Sequence, residues 1–432
     1  MNRYGFLAWL ALATVTGQTG ELDDYLARPE PDFRWELRRK TKTADGILYE
    51  IRFVSQNWRD YRWTHHLWVY RPKKVEFPQT PVLCVHGGGP RDAHTDYGFH
   101  MANSTGAIFA TLYDVPNQPL FDGLVEDDLI AHTLDKAILT KDSSWPLLLP
   151  MTKAATKAMD VIQAFSQQEW KTKTDGFVVT GASKRGWTTW LVAAHDNRVK
   201  AIVPWVYDNL NISDQMKHQV ESWGDYSDKI MQYTRRNLQV RLRAKEGVPV
   251  GKLIDPYAYR NRLQLPKLIV NGTNDPYWTL DALNLYWTDL PGEKYVLYVP
   301  NAGHDLDDDL RRASQSTSAF YRHVVGGEPW PKLEWKHGQS VRNLRLTVTA
   351  VHVPEARAAR LWVAHSPGKD FRAANWESSN LPWIHSEDGM VTYQDEILKP
   401  ASGRVALFAE LEYESNGQPF YLSTSIRIAG KK

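Results

Sequence analysis

The distribution of apolar and polar positions divides the chain into two parts with different patterns. In the first part, short apolar runs such as PVLCV at 81–85 and AIFATL at 107–112 have the composition of strands. Runs without polar alternation are typical of strands in a sheet that is covered on both faces. From about residue 177 to 206, a strand, a turn, a helix and a further strand follow one another. This order predicts a right-handed parallel unit, so we predict an α/β fold with helices on both faces of the sheet.

One segment interrupts this alternation. Residues 208–263 are polar and rich in Trp, Tyr and Arg, and we interpret them as a helical cap inserted into the α/β domain. The alternation then resumes with the strand LPKLIVNG, a helix near 280–287, the strand KYVLYVP and a final helix near 308–324.

After about residue 328, apolar and polar residues alternate with the period of two that strands show. The segment LRLTVTAV has this pattern, and two strands near the C-terminus are joined by Asn416-Gly417, a pair that favours a tight hairpin turn. We therefore predict an α/β domain at 21–327 and a small antiparallel, Ig-like β-sandwich domain at 328–432.

The N-terminus has the layout of a secretory signal. Arg3 is followed by an apolar run of roughly ten residues and then by small and polar residues. We predict a signal peptide at 1–20 and export to the periplasm or the extracellular space; a disordered or packed N-terminal arm is the alternative. The run is too short for a stable membrane span. Cys84 is the single cysteine, which rules out an intrachain disulfide and suits a bacterial exported protein.

Charge gives little indication of a partner. The chain has 52 Lys and Arg against 50 Asp and Glu, and no basic block predicts nucleic acid binding. The 18 Trp and 20 Tyr can line a cleft as readily as a core. Within the cap, we expect Trp223 and Tyr226 to contact the substrate, and Tyr257 and Arg260 to shape specificity. Oligomeric state is not determined by the sequence.

The segment GASKRGW at 181–187 carries the central chemical hypothesis. A catalytic serine needs a sharp turn that lifts its oxygen clear of the sheet, and in α/β hydrolases that turn is G-x-S-x-G. Here Gly181 and Ser183 fit the pattern, but the second glycine, Gly186, comes one position late. The strand before the serine and the helix after it are the required context. On its own, Ser183 fits a helix N-cap equally well.

Two further residues complete a Ser-acid-His order along the chain. Asp275 comes shortly after the strand LIVNG, and His304 follows the strand YVLYVP. The carboxyl ends of parallel strands are where α/β folds build their sites. Taken singly, Asp275 fits a turn before Pro276 and His304 fits a surface loop. Together with Ser183 they predict a catalytic triad. Asp281 remains an alternative acid.

Candidate oxyanion donors come from two loops. His86-Gly87-Gly88-Gly89 follows the strand PVLCV, at the position where esterases carry a glycine loop that supplies one N–H. We predict the N–H groups of Gly88 and Lys184 as donors. A flexible glycine turn is the alternative interpretation of this loop. This chemistry requires no metal and no organic cofactor.

Several ordered segments resemble the PhoPQ-activated pathogenicity-related protein family. They run from SQNWRDYRWTHHLWVYRP and GASKRGWTTWLVAAHDNRVKAIVPWV to LPKLIVNGTNDPYWTLDALNLYWTDLPGEKYVLYVPNAGHDL. The resemblance implies an exported α/β-hydrolase fold with a small C-terminal β domain, and it implies Ser183, Asp275 and His304 as triad. The spacing after the serine is similar to that of glucuronoyl esterases, in which a basic residue at the position of Lys184 assists the oxyanion. Pro276-Tyr277-Trp278 after the acid and His86 before the glycines depart from the family pattern.

Three functions follow from these residues. The leading hypothesis is a serine hydrolase that cleaves carboxylic esters of a small molecule or carbohydrate. The second is an aminopeptidase or dipeptidyl-peptidase-like enzyme, in which acidic residues at 126–128, chiefly Glu126 and Asp127, bind a substrate amine; a solvated acidic face is the structural alternative. Arg185 is expected to stack on or pair with the cap and to contact substrate. The third is a secreted binding or signalling protein on a hydrolase scaffold.

Overall fold

The computed structural model describes residues 20–306, 309–351 and 353–430 of the chain. All of the predicted signal segment except Gly20 lies outside these ranges. The signal peptide and export therefore stay predictions. Within the described ranges, no helix combines the length and apolar character needed to cross a membrane.

In the described part of the α/β region, nine strands form one sheet. They are β1 (Arg34–Lys42), β2 (Gly46–Trp58), β3 (Tyr61–Pro72), β4 (Phe77–Val85), β5 (Ala107–Leu112), β6 (Phe177–Ala182), β7 (Val199–Trp205), β8 (Lys267–Gly272) and β9 (Lys294–Val299). Across the sheet their order is β1-β2-β3-β5-β4-β6-β7-β8-β9. The strands from β5 to β9 are parallel, and β3 is antiparallel to both of its neighbours. Apart from the extra edge strand β1, this is the α/β-hydrolase order, which confirms the predicted fold class.

Helices cover both faces of this sheet. They are α1 (Glu21–Leu26), α2 (Ala93–Thr105), α3 (Glu126–Thr140), α4 (Leu148–Trp170), α5 (Lys184–His195) and α10 (Leu310–Gly326); the helices numbered between α5 and α10 belong to the cap. Buried side chains of α4 and α5 belong to one hydrophobic cluster, and those of α2 and α10 belong to a second cluster. Every residue of β5 and β8 is buried, as the apolar runs predict for strands between two helical layers.

The segment between β7 and β8 is helical, as expected for the cap. It contains α6 (Ile212–Trp223), α7 (Met231–Thr234), α8 (Leu238–Arg241) and α9 (Val248–Ile254), together with two 3-10 helices. Apolar side chains of α8 and α9 join the same core cluster as α4 and α5. The indole Nε1 of Trp187 on α5 also donates to the carbonyl of Ile254, 2.5 Å away. The cap is thus packed directly onto the helix that follows Ser183.

The predicted helix near 280–287 is wrong in type. Two short 3-10 helices, Ala282–Leu285 and Trp287–Asp289, occupy this segment. Between them, Tyr286 has φ −145°, outside helical geometry, and its buried hydroxyl donates to Asp208 Oδ1 at 2.5 Å. This non-helical backbone at Tyr286, whose side chain points into the core, interrupts the helix.

The C-terminal region contains two antiparallel layers, as the alternating pattern predicts. Its strands are β10 (Leu333–Gln339), β11 (Asn343–Val351), β12 (Ala358–Ser366), β13 (Glu377–Asn380), β14 (Trp383–Glu387), β15 (Met390–Leu398), β16 (Arg404–Ser415), β17 (Gln418–Ser423) and β18 (Arg427–Gly430). One layer has the order β10-β11-β15-β14, and the other has β17-β16-β12-β13 with β18 beside β16. Asn416 and Gly417 both have positive φ in the β16-β17 hairpin, as a type I′ turn requires.

One layer of this sandwich is continuous with the central sheet. β17 pairs with β9 through Ser423 and Val296, which makes a single fourteen-stranded sheet. A buried Glu410 on β16 forms an ion pair with Arg312 of α10 across the same junction. The sequence suggests two separate domains, whereas the structure shows a shared sheet. This continuity allows the C-terminal region to support loops of the α/β part.

Candidate active site

Ser183 sits on the sharp turn that its sequence context predicts. β6 ends at Ala182 and α5 begins at Lys184, so Ser183 is the one residue between them. Its φ is 57° and its ψ is −124°, a conformation that non-glycine residues rarely adopt. Its N–H donates to the carbonyl of Trp205 on β7, and its own carbonyl accepts from the N–H of Trp187, both at 2.9 Å. The neighbouring strand and the helix therefore hold this strained backbone in place.

The late second glycine has a packing explanation. A Cβ on Gly186 would lie 2.9 Å from the carbonyl oxygen of Trp205, and a Cβ on Gly181 would lie 2.7 Å from that of Arg185. Both positions therefore require glycine for the close approach of α5 to the strands. The residue of α5 that approaches the carbonyl of Trp205 on β7 is Gly186 and not residue 185, which accounts for the G-x-S-x-x-G spacing.

The structure brings Ser183, His304 and Asp275 together. His304 Nε2 is 2.8 Å from Ser183 Oγ, and His304 Nδ1 is 2.7 Å from Asp275 Oδ2. In this arrangement Nδ1–H donates to the carboxylate, and Nε2 accepts from the serine hydroxyl. Asp281 instead pairs with His218, at 2.6 Å. The geometry thus selects Asp275 over Asp281 as the partner of His304.

Tyr277, two residues after the acid, contacts both Asp275 and His304. Its backbone N–H donates to Asp275 Oδ1 at 2.8 Å, and its ring stacks on the imidazole of His304 with 4.1 Å between centroids. Asp275 is 6% exposed. Each carboxylate oxygen consequently has one donor, and the imidazole cannot easily rotate out of plane.

The C-terminal region supports the two loops that carry Asp275 and His304. The side-chain amide of Asn274 donates to the carbonyls of Arg372 and Ala374, at 3.2 and 2.7 Å. Asn301 accepts from the N–H of Trp376 at 2.7 Å and donates to the carbonyl of the same residue at 3.0 Å. A loop between β12 and β13 therefore sets the position of both triad loops.

Beside Ser183, four charged side chains form a partly buried cluster. Lys184 Nζ lies 2.8 Å from Asp127 and 3.2 Å from Glu126. Arg185 donates to both oxygens of Glu126, at 2.7 and 2.8 Å, and to the carbonyl of Val115 at 2.6 Å. Burial raises the pKa of Glu126, but the hydrogen bonds and charge of Arg185, with the charge of Lys184, outweigh burial and lower it to about 2. The four charges balance, so neither acid is left unpaired.

The glycine loop at 87–89 packs against this cluster. A Cβ on Gly87 would lie 2.1 Å from Cζ of Arg185, so only glycine leaves room for the guanidinium. The N–H of Gly88, a predicted oxyanion donor, is directed to Nδ1 of His86 at 3.1 Å. Lys184 is the first residue of α5, and N–H groups in a first helical turn have no intrahelical acceptor. Of the two predicted donors, Lys184 is thus the one placed next to Ser183.

A cavity of about 600 Å³ opens between Ser183 and the cap. Ser183, Lys184 and Asp127 contribute to one part of its wall. Most of the remaining wall consists of aromatic and aliphatic side chains, among them Trp187, Tyr207, Tyr233, Tyr277, Trp278, Leu238, Leu242 and Ile254. Tyr257 and Arg260, predicted to shape specificity, also line it. Such a chamber fits an apolar or aromatic group attached to the reacting carbonyl.

Four predicted substrate contacts lie elsewhere. Arg185 and Glu126 are paired with each other behind the wall of the cavity, and Glu126 therefore serves a structural role. Trp223 stacks under the guanidinium of Arg372 at 4.3 Å, outside the cavity. Tyr226, which follows the end of α6 at Gly224, also lies outside the wall. Asp127 is the one member of the predicted set that lines the cavity.

Comparison with known proteins assigns the chain to a family. The family model described as PhoPQ-activated pathogenicity-related protein matches residues 22–372. The chain belongs to the PhoPQ-activated pathogenicity-related protein family. Autocrine proliferation repressor protein A of Dictyostelium discoideum is 29% identical over 453 residues, which cover 96% of this chain and 90% of that protein.

Solved structures resemble this PhoPQ-related protein more distantly. Acetyl xylan esterase 1 from Thermoanaerobacterium sp. JW/SL YS485 has a TM-score of 0.47 and 16% identity, over 68% of this chain and 92% of that chain. An acetyl xylan esterase from Paenibacillus sp. R4 has a TM-score of 0.48 and 14% identity over the same shares. An acylaminoacyl peptidase from Pyrococcus horikoshii has a TM-score of 0.42 and 14% identity, over 68% of this chain and 42% of that chain.

Sequence reasoning missed several residues that shape the site of this PhoPQ-related protein. Asn274 directly precedes Asp275 in the motif NDP, and Asn301 begins the motif NAGH, which ends at His304. Nothing in these motifs indicates that the two asparagines contact residues about 75 to 100 positions later. The hydroxyl of Tyr233 donates to Asp127 at 3.0 Å, but Tyr233 lies in a polar segment of the cap whose sequence does not indicate this contact. The described residues contain no group of three or more His, Cys, Asp or Glu arranged to hold a metal.

Proposed function

We propose that this PhoPQ-related protein is an exported serine hydrolase that cleaves carboxylic esters of a small molecule or carbohydrate through an acyl-enzyme. The carrying observation is the continuous hydrogen-bond chain from Ser183 Oγ through His304 to Asp275, built on a strained turn at the end of β6. A buried carboxylate, a fixed imidazole and a serine hydroxyl in this order are the parts that acyl transfer requires.

In the proposed reaction, His304 Nε2 takes the hydroxyl proton as Ser183 Oγ attacks the ester carbonyl. The tetrahedral intermediate then collapses: the carbon–oxygen bond to the alcohol breaks, and His304 returns the proton to the leaving alcohol. Water repeats the sequence on the acyl-enzyme and releases the carboxylic acid. Asp275 holds the imidazole in the required tautomer throughout.

The oxyanion is stabilised by backbone donors. The N–H of Lys184 lies at the positive end of α5, where the helix dipole adds to the hydrogen bond. The N–H of Gly88 can serve as the second donor only after it turns away from His86 Nδ1. Because Asp127 and Glu126 neutralise the Lys184 side chain, its backbone rather than its ammonium group is the expected contact.

The same charges bear on the peptidase alternative. An amine subsite needs a carboxylate that is free to pair with the substrate. Asp127 accepts from both Lys184 and Tyr233, and Glu126 accepts from Arg185 and Gln118. Binding a substrate amine at either acid would have to displace an existing partner, which favours ester substrates without an amino group.

Hydrolysis of 4-nitrophenyl butyrate by wild type and Ser183→Ala tests the proposal. We expect turnover by the wild type and a fall of kcat of at least about 10⁴-fold in the variant. Ser104→Ala is the matched control and should retain wild-type rates, because Ser104 lies on α2, which covers the face of the sheet opposite to α5. An amino-acyl naphthylamide hydrolysed in preference to the ester would support the peptidase. Equal rates in wild type and Ser183→Ala would contradict a Ser183 hydrolase of either kind.

A further inference from the structure

The cavity wall carries an excess of positive charge. Its cationic residues are Lys184, Arg243, Lys252 and Arg260, and its acidic residues are Asp127 and Asp255. Lys184 is already paired with Asp127 and Glu126. Among the described residues, the other three cations have no carboxylate within ion-pair distance. Unpaired arginines at a partly enclosed site are unusual, because a guanidinium favours bidentate anion contacts.

The two arginines are held in place without using up their charge. Arg243 Nε donates to the carbonyl of Gln239 at 2.8 Å, and one terminal nitrogen lies 3.5 Å from the hydroxyl of Tyr226. The guanidinium of Arg260 lies 4.4 Å over the ring of Tyr257 and donates to the carbonyl of the same residue. Each arginine therefore retains N–H groups for a ligand while its position is fixed.

The acidic groups near these cations are engaged by other partners. Asp255 accepts backbone N–H groups from Asn211, Ile212 and Tyr257, at 3.2, 2.8 and 2.9 Å. Asp214 pairs with Lys217 at 2.8 Å. Neither carboxylate forms an ion pair with the arginines, and Arg243, Lys252 and Arg260 outnumber these two acids, so the cap end of the cavity has a net positive charge. Such a surface attracts an anion and not an amine.

The positions of the reactive serine and of the cations define the shape of the ligand. Ser183 lies on the turn between β6 and α5, whereas Arg243, Lys252 and Arg260 belong to the cap, and apolar side chains form most of the wall. A ligand that reaches both ends has an ester at one end, an apolar body and an anion at the other end.

We propose that the site takes anionic esters, in which an apolar body carries a carboxylate, sulfate or phosphate group that Arg243 and Arg260 bind, with Lys252 at the rim. The ester part of this proposal rests on the proposed function of Ser183; the anion site does not. Anionic esters are a narrower substrate class than the triad alone would select.

Direct binding to the Ser183→Ala protein tests the anion site without hydrolysis. The probes are 4-nitrophenyl octanoate and the mono-4-nitrophenyl ester of suberic acid, which have the same chain length and differ by a terminal carboxylate. By calorimetry we expect the anionic probe to bind about tenfold more tightly, as one charge-assisted contact predicts. Equal or weaker binding of the anionic probe would overturn the proposal.

Variants locate the effect. In the Ser183→Ala protein, either Arg243→Gln or Arg260→Gln should reduce the preference for the anionic probe over the neutral probe by at least about threefold. Both arginine changes together should abolish this preference. Arg236→Gln is the matched control, since Arg236 lies in the same cap but pairs with Asp128 and does not line the cavity. A preference that survives both arginine changes would show that the anion binds elsewhere.

Salt provides a test that needs no change in the cap. Raising NaCl from about 0.05 to about 0.5 M should weaken binding of the suberate probe and leave the octanoate probe unchanged. A preference insensitive to salt would contradict an ionic contact.

These results separate the two proposals. Wild-type turnover that depends on Ser183, without a preference for the anionic probe, would support the esterase and contradict the anion site. An anionic preference without turnover would support the anion site and contradict the esterase.

Discussion

Replacement of Asp275 by Asn tests the histidine tautomer on which the proposed reaction depends. In the structure, Asp275 Oδ1 accepts the N–H of Tyr277, and Oδ2 accepts from His304 Nδ1. An asparagine must keep its oxygen toward the Tyr277 N–H, because an amide NH₂ cannot accept. Its NH₂ group then faces His304 Nδ1, which has to become an acceptor. Nε2 consequently carries the proton and can no longer take one from Ser183.

The expected cost is large because the wrong tautomer removes the base. The equivalent Asp→Asn change in a serine protease lowers kcat about 10⁴-fold, which corresponds to about 5.5 kcal/mol of activation free energy. We expect a loss of this size in kcat for 4-nitrophenyl butyrate with little change in KM. Thermal unfolding should show a folded variant, since the side chains are nearly equal in size.

Asp281→Asn is the matched control for this experiment. Asp281 lies six residues further along and pairs with His218 instead of His304. We expect its kcat to stay within about threefold of the wild type. A folded Asp275→Asn variant that loses less than about tenfold in kcat would refute the assigned tautomer, and a larger loss in Asp281→Asn would transfer the role to that residue.

Three further predictions concern the surroundings of the triad. Gly87→Ala should lower the free energy of unfolding by about 2 kcal/mol and reduce kcat, because the new methyl group would overlap the fixed guanidinium of Arg185. Chemical denaturation measures the change in stability, and ester hydrolysis measures the change in kcat. Burial, with the charges of Asp275 and Asp281, raises the pKa of Asp208 from 3.8 to about 7, although Tyr286 donates to it. The folded state therefore keeps this proton to higher pH than the unfolded state. Between pH 5 and 8, the free energy of unfolding should fall by about 3 kcal/mol more in wild type than in Asp208→Asn, as urea unfolding at the two pH values will show. Asn301→Ala should lower kcat more than it raises KM and lower stability by about 1–2 kcal/mol, because the histidine loop loses its hydrogen bonds to Trp376.

Controls for these variants lie nearby in the chain. A Cβ at Gly89 would make only an ordinary contact, 3.5 Å from Asp114, so Gly89→Ala should retain wild-type stability. Asn375→Ala removes an exposed amide next to Trp376 and should leave kcat unchanged. A parallel pH dependence in wild type and Asp208→Asn would show that another group titrates in this range. Equal effects of the Asn375 and Asn301 changes would contradict a specific role of the Asn301 contact.

The sequence predicts the triad better than its surroundings because the triad follows from strand order. Ser183, Asp275 and His304 each come after an apolar run that becomes a parallel strand, and the carboxyl ends of such strands meet at one edge. The choice between Asp275 and Asp281 depends on side-chain direction over a distance of a few Å, and no pattern in the sequence records that direction.

Long-range pairing accounts for what the sequence does not predict. Glu126 and Asp127 look like an acidic surface until Lys184 and Arg185, almost sixty residues later, are placed beside them. β1, with the sequence RWELRRKTK, has apolar residues only at Trp35 and Leu37, and it is a strand because it pairs along β2. The joined sheet likewise depends on one pairing, between Ser423 and Val296, which neither strand's own composition indicates.

The most direct test of the central claim is labelling with a fluorophosphonate probe, which reacts with activated serines, followed by mass spectrometry of the labelled peptide. The account predicts one label on Ser183 of the folded wild type, none on Ser183→Ala and a strongly reduced amount on His304→Ala, which lacks the base. A folded wild type that remains unlabelled, or that is labelled at another residue, would contradict an activated Ser183 and favour a binding protein built on a hydrolase fold.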